Sequence, residues 1–197
     1  TEGPLTVSLT AMGEVPAAMA LRRAGAKPGD GVFVSGTIGD GALGLAALQD
    51  SFDDVGAAYL IDRYHLPRPR LELAEPLRGI AHAAIDVSDG LIADLGHICD
   101  VSGVGAEIEA ARVPLSPAAQ AAVAADPVLM DLILTGGDDY ELLFTADKAD
   151  IGRIAALSMD LALPLTMVGQ VIAGAGVIAL NSNGEAMVFE STGWQHR

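Results

Sequence analysis

The chain has 197 residues, enough for one α/β domain with a sizeable core, or for one domain plus part of another. Apolar residues make up 51% but aromatic ones only 4%, so that core must be built from Ala, Val, Leu and Ile. A formal net charge of −15 repels nucleic acid and anionic membranes, and argues that any phosphate-bearing ligand is met through bridging cations. The lone cysteine, Cys99, excludes an intramolecular disulfide and fits a reducing cytoplasm. The apolar run Val171 to Leu180 is about half of a membrane span. No charged-then-apolar signal opens the chain, and Thr1-Glu2-Gly3-Pro4 lacks an initiator Met, as expected of a truncated or processed product.

Along the chain, Leu5-Thr6-Val7-Ser8-Leu9-Thr10 alternates apolar and polar and predicts a strand with one buried face. Pro16 opens an Ala-rich helical stretch ending near Arg22 and Arg23. Lys27-Pro28-Gly29-Asp30 is a turn before a compact strand at Val32-Phe33-Val34. Gly36-Thr37-Ile38-Gly39-Asp40-Gly41 is a glycine-rich loop opening a helix to about Gln49, and two helical stretches bracket the segment 65–70. Ala83-Ala84-Ile85 predicts a strand, Leu91 to Asp100 a helix, Val104 to Ala110 a strand and Pro117 to Ala125 a helix. Tyr140 to Phe144 reads as a strand, Lys148 to Met159 as a helix, and three short strands follow around Met167, Val177 and Met187. This alternation favours a layered α/β or α+β sheet.

The densest candidate site is Asp86-Val87-Ser88-Asp89-Gly90, at a strand-to-helix junction. Ligands bind at such carboxyl ends of strands in open α/β sheets, and two carboxylates three apart suit magnesium, whose remaining positions go to water and phosphate oxygens. Ser88 and the first helical N–H groups offer a place for a phosphate; equally, Ser88 or Asp89 is only the helix N-cap. Thr135-Gly136-Gly137-Asp138-Asp139-Tyr140-Glu141 is the second site: paired glycines admit close backbone approach, and its carboxylates need solvent or cations. The bland reading is a surface turn. Glu141, next to Leu142-Leu143-Phe144, is placed inside an apolar strand and there needs a partner.

The loop 36–41 lacks the Lys-Ser/Thr ending of a P-loop, and a plain strand–helix turn explains it equally. One of Arg22 and Arg23 can clamp a phosphate bidentately, or both are solvated helix-end charges. Trp194, the only tryptophan, is either a packing anchor or a stacking surface for an aromatic ligand. Cys99 reads as a small buried apolar group.

In order along the chain, Arg23-Ala24-Gly25-Ala26-Lys27-Pro28-Gly29-Asp30, Ala84-Ile85-Asp86-Val87-Ser88-Asp89-Gly90-Leu91 with Asp94-Leu95, and Gly136-Gly137-Asp138-Asp139-Tyr140-Glu141-Leu142 resemble the thiamine-monophosphate kinases. Pro164-Leu165-Thr166-Met167-Val168-Gly169 and Gly193-Trp194-Gln195-His196 complete the set. That family belongs to the superfamily of aminoimidazole ribonucleotide synthetase. The resemblance implies the C-terminal α/β domain of that fold, a mixed sheet covered by helices, over residues 15–197. It implies that residues 1–14 are the last strand and linker of an N-terminal domain otherwise lacking, so that the chain alone is inactive.

It further implies direct in-line transfer of the γ-phosphoryl of ATP to thiamine monophosphate, with several magnesium ions neutralising charge. By matching position, Asp86 and Asp89 are implied as magnesium ligands, Ser88 and Arg23 as ATP contacts, and Glu141 and Trp194 as the lining of the thiamine site. A homodimer in the cytoplasm, with no nucleic-acid or membrane partner, is expected of the full-length protein. Two other readings stay open: another ATP-dependent member of the superfamily, of selenophosphate or purine-pathway type, or a non-catalytic dimerisation or regulatory module.

Overall fold

A computed structural model describes residues 3, 6–49, 56–191 and 193. Its frame is a sheet of strands β1 (Gly31–Ser35), β2 (Ala81–Asp86), β3 (Gly105–Glu109), β4 (Leu142–Ala146), β5 (Leu165–Ile172) and β6 (Gly176–Leu180), in the order β2-β4-β1-β5-β3-β6. Every neighbouring pair is antiparallel except β3 with β6, so the sheet is mixed as expected.

The helices are α1 (Asp40–Leu48), α2 (Ala57–His65), α3 (Leu91–Ser102), α4 (Pro117–Ala125), α5 (Leu129–Thr135) and α6 (Ile151–Asp160). Strand alternation sorts the core onto two faces. Val32, Val34, Ala83, Ile85, Leu143 and Val168 meet Leu43, Leu60, Leu91, Leu95 and Ile133 from α1, α2, α3 and α5. Phe33 and Phe144 point the other way, stacked at 5.2 Å, and meet Leu73, Leu77 and Ile154. α4 starts where Ser116 accepts the N–H of Ala119 and Pro117 takes the first turn, the local reason the helix begins there.

Departures from expectation concentrate at the front. Residues 6–15 form no strand and residues 16–23 no helix, only a turn at 17–18. Val7 and Leu9 are 82% and 93% exposed, so the alternating pattern has no described surface to pair with. The segment around Arg22 instead runs along the open edge of β2, accepting the Ala84 N–H through the Arg22 carbonyl at 2.9 Å. The second helical stretch after residue 70 is a 3-10 turn, Leu71–Leu73, and near Met187 there is only a bridge, between Leu180 and Ala186. Glu141 lies just before β4 rather than inside it.

Candidate active site

The chain leaves β2 at the exposed Asp86 and turns through Val87, Ser88, Asp89 and Gly90 into α3. Gly90 has φ 119°, and a Cβ there would lie 2.5 Å from the carbonyl oxygen of Thr135. Neither Ser88 nor Asp89 is the N-cap: that position is Gly90, with no side-chain cap bond. Asp94, one turn inside α3, caps it instead. Its Oδ2 accepts the N–H groups of Ser88, Asp89 and Gly90 at 3.0, 3.0 and 3.2 Å. These amides are therefore occupied, and a phosphate at this turn would meet the Ser88 side chain rather than the backbone. Burial pushes the Asp94 carboxyl above the ordinary range, and the N–H donors oppose that push.

The segment Gly137–Glu141 lies against this turn. Asp138 N–H donates to the Ser88 carbonyl at 3.0 Å, Tyr140 N–H to Val87 at 2.9 Å, and Val87 N–H returns to Glu141 at 2.8 Å. A Cβ on Gly137 would fall 1.9 Å from the Ser88 carbonyl oxygen, so glycine permits this approach. Asp138 and Tyr140 are left-handed, at φ 68° and 52°, while the intervening Asp139 turns inward. Its carboxylate accepts the N–H groups of Gly39 and Gly41 at 2.7 and 2.9 Å. The glycine loop thus spends these two donors on a protein carboxylate, which favours its reading as a strand–helix turn. Burial pushes the Asp139 carboxyl up to about 7; the two N–H groups oppose this, while Asp40 and Glu141 add to it.

Glu141 is fully buried and has the partners its position demanded, all from the protein. Ser35 Oγ and Arg70 Nε each donate to Oε2 at 2.6 Å; Arg70 Nη2 and Arg63 Nη2 reach Oε1, the latter at 3.3 Å. Arg63, itself 4% exposed, also pairs with Asp40 at 3.6 Å. Asp40 opens α1 and accepts from Ser116, Thr37 and Tyr59. No spacing rule in the sequence joins Arg63 and Arg70 to Glu141; their only signal is that a buried carboxylate requires cations.

Two cavities flank the turn. One, of about 800 Å³, is lined by Arg23, Ser88, Asp89, Asp138 and Tyr140. The other, of about 580 Å³, is lined by Val15, Met19, Arg70, Asp86, Tyr140 and Glu141. Arg23, Ser88 and Asp89 are therefore brought together; Asp86 and Glu141 share the neighbouring space, with Tyr140 common to both. Trp194 lies outside the described residues, although Gly193 lines the larger cavity. Asp89 and Asp138 line the larger cavity and Asp86 the smaller, so hard oxygen donors border both sides of Tyr140. That donor set fits magnesium. Asp89, Asp94 and His97 bring one ligand atom each within 4.8 Å of one another, but Asp94 already serves the backbone.

Residues 27–181 match the family model described as AIR synthase related protein, C-terminal domain. The chain is 42% identical over its whole length to the thiamine-monophosphate kinase of Salmonella typhimurium, covering 61% of that protein. The thiamine-monophosphate kinase structure from Stenotrophomonas maltophilia superposes with a TM-score of 0.79 at 40% identity, over 88% of this chain and 56% of that one. A structure described as AaThiL complexed with AMPPCP and TMP superposes at 0.73 and 34% identity, over 90% of this chain and 54% of that one. The chain thus spans about three-fifths of the length of the curated relative.

Proposed function

We propose, for a chain that belongs to the AIR synthase related protein C-terminal domain family, that it forms part of a thiamine-monophosphate kinase. The reaction is transfer of the γ-phosphoryl group of ATP to thiamine monophosphate. An oxygen of the acceptor phosphate forms a bond to the γ-phosphorus. The bond from that phosphorus to the β–γ bridging oxygen breaks, and its electron pair leaves on ADP; thiamine diphosphate is the other product. The observation that carries this reading is the pair of adjoining cavities, one holding Arg23, Ser88 and Asp89, the other Asp86 and Glu141.

Arg23 and Ser88 take the ATP phosphates on the larger side, the guanidinium as a charge-assisted donor. Asp86 and Asp89 would hold magnesium, which would neutralise charge on the phosphate oxygens. Glu141 belongs to the acceptor side. With its own carboxylate engaged by Arg63 and Arg70, it acts by fixing Arg70, which lines the smaller cavity, while Arg63 stays buried behind it. Trp194 stacks on an acceptor ring. The network below the site holds these groups in place, and catalysis by positioning is what phosphoryl transfer needs. Residues 1–14 are assigned to an N-terminal domain that completes the site and residues 15–197 to the C-terminal domain, in a cytoplasmic homodimer.

The test is phosphotransfer by the intact protein to thiamine monophosphate, with Asp86→Asn and Asp89→Asn beside it. Loss of about 10²-fold or more in kcat is expected for each. Unaltered transfer by both variants would return the domain to a non-catalytic role, and transfer to another acceptor alone would place it elsewhere in the superfamily.

A further inference from the structure

Tyr140 is the residue common to both cavities. Its backbone holds φ 52°, a conformation that Gly or Asn adopts readily and a bulky aromatic residue rarely does. Packing does not explain it, because the side chain is 38% exposed and belongs to neither hydrophobic cluster. The fold nevertheless enforces the conformation from both sides. Asp139 is pulled inward by Gly39 and Gly41, Glu141 by Ser35 and the two arginines, and the Tyr140 N–H is fixed on Val87. With both neighbours drawn into the protein, residue 140 is turned outward onto the partition. A strained residue kept in place by surrounding structure marks a functional position.

We propose that Tyr140 is a catalytic residue of the phosphoryl transfer, its ring forming the wall between donor and acceptor cavities and its hydroxyl donating a hydrogen bond to the group in transit. The role rests on the kinase reading above. In the free protein the hydroxyl lies 3.4 Å from Asp138 Oδ1, a long and therefore weak bond. It exchanges this contact for an oxygen of the γ-phosphoryl group as that group passes from ADP to the acceptor. The phenol keeps its proton throughout, so the transfer balances as written, with Tyr140 only as donor.

The intact protein is compared with Tyr140→Phe and Tyr140→Asn by steady-state kinetics with ATP and thiamine monophosphate, and by thermal unfolding. Tyr140→Phe keeps ring and backbone demand and loses only the hydroxyl. A fall in kcat of roughly 10- to 100-fold is expected, with both KM values within about twofold and the unfolding midpoint unchanged. Tyr140→Asn suits the left-handed backbone and deletes the wall; kcat is expected to fall at least as far while the midpoint holds or rises. Wild-type kcat in either variant overturns the assignment, as does a loss of kcat in Tyr140→Phe that appears only with a lowered midpoint. No transfer by the wild-type protein overturns the kinase reading itself, and this role with it.

Discussion

The carboxylate of Asp139 binds the backbone N–H of Gly39 at 2.7 Å, joining two loops that lie 100 positions apart in the chain. Through Gly41 the same carboxylate takes a second N–H at the start of α1, so the loop preceding β4 is tied at two points to the loop following β1. Arg63 links the next layer, pairing Asp40 of the first loop with Glu141 of the second. Tyr140, which lines both cavities, stands between Asp139 and Glu141 on this joint.

Asp139 gives the fold a pH dependence of defined sign. Its carboxyl is raised from 3.8 to about 7, so between these values the folded chain holds a proton that the unfolded chain has released. The stability contributed by this group is therefore full below pH 4 and is lost as pH rises through 7. Urea midpoints of wild type and Asp139→Asn, taken from pH 4 to 8, should show the wild-type advantage shrinking as pH increases. A gap that is constant, or that widens with pH, contradicts the raised value.

Arg63 faces two buried carboxylates, and its removal leaves both short of a cation. Arg63→Met should destabilise the protein by about 3 to 5 kcal/mol, because the lost attraction is compounded by uncompensated buried charge. Combining it with Asp40→Asn should recover part of that loss. Chemical unfolding of the single and double variants checks this coupling.

How much of this was visible in the sequence depends on whether the determinant is local. β1, β2, α1, α3, α4 and α6 follow from apolar runs bounded by Gly, Pro and Asp, and Pro117 marks the start of α4 to the residue. Residues 6–10 carry an equally good strand pattern and form none, because a strand needs a partner, and periodicity does not say whether one exists. The Asp86–Gly90 turn could be read as chemistry or as a cap. What decided it was Asp94, four residues beyond Gly90, whose capture of three amides is a matter of three-dimensional aim. The same holds for Glu141: its need for a cation follows from polarity, but the identity of Arg63 and Arg70 follows from the path of α2 and the segment after it.

Thr145 offers a stabilising change. Its Oγ1 is buried in β4, where the residue is flanked by the apolar Phe144 and Ala146, and has no hydrogen-bond partner among the described residues. Thr145→Val keeps the branched shape that suits a strand and removes the unsatisfied hydroxyl. A gain of about 1 kcal/mol is expected, read as a higher urea midpoint with an unchanged slope. A lower midpoint would mean that the hydroxyl is bonded in solution.

Asp94 separates support of the site from chemistry in it. The residue is 1% exposed, is not among the residues lining either cavity, and holds the turn through the amides of Ser88, Asp89 and Gly90. Asp94→Ala strands those donors at the mouth of α3 and should lower stability by about 2 kcal/mol, since bonds to a charged acceptor are among the stronger ones. Asp94→Asn retains a neutral oxygen acceptor and should fall between wild type and Ala. If the turn is what presents Ser88 and Asp89, ATP affinity must track stability across the three proteins, weakest in Ala and intermediate in Asn. Calorimetric titration with a non-hydrolysable ATP analogue, beside unfolding curves of the same samples, measures both. An Ala variant that unfolds early yet binds the analogue as wild type does would show that the turn keeps its shape without Asp94.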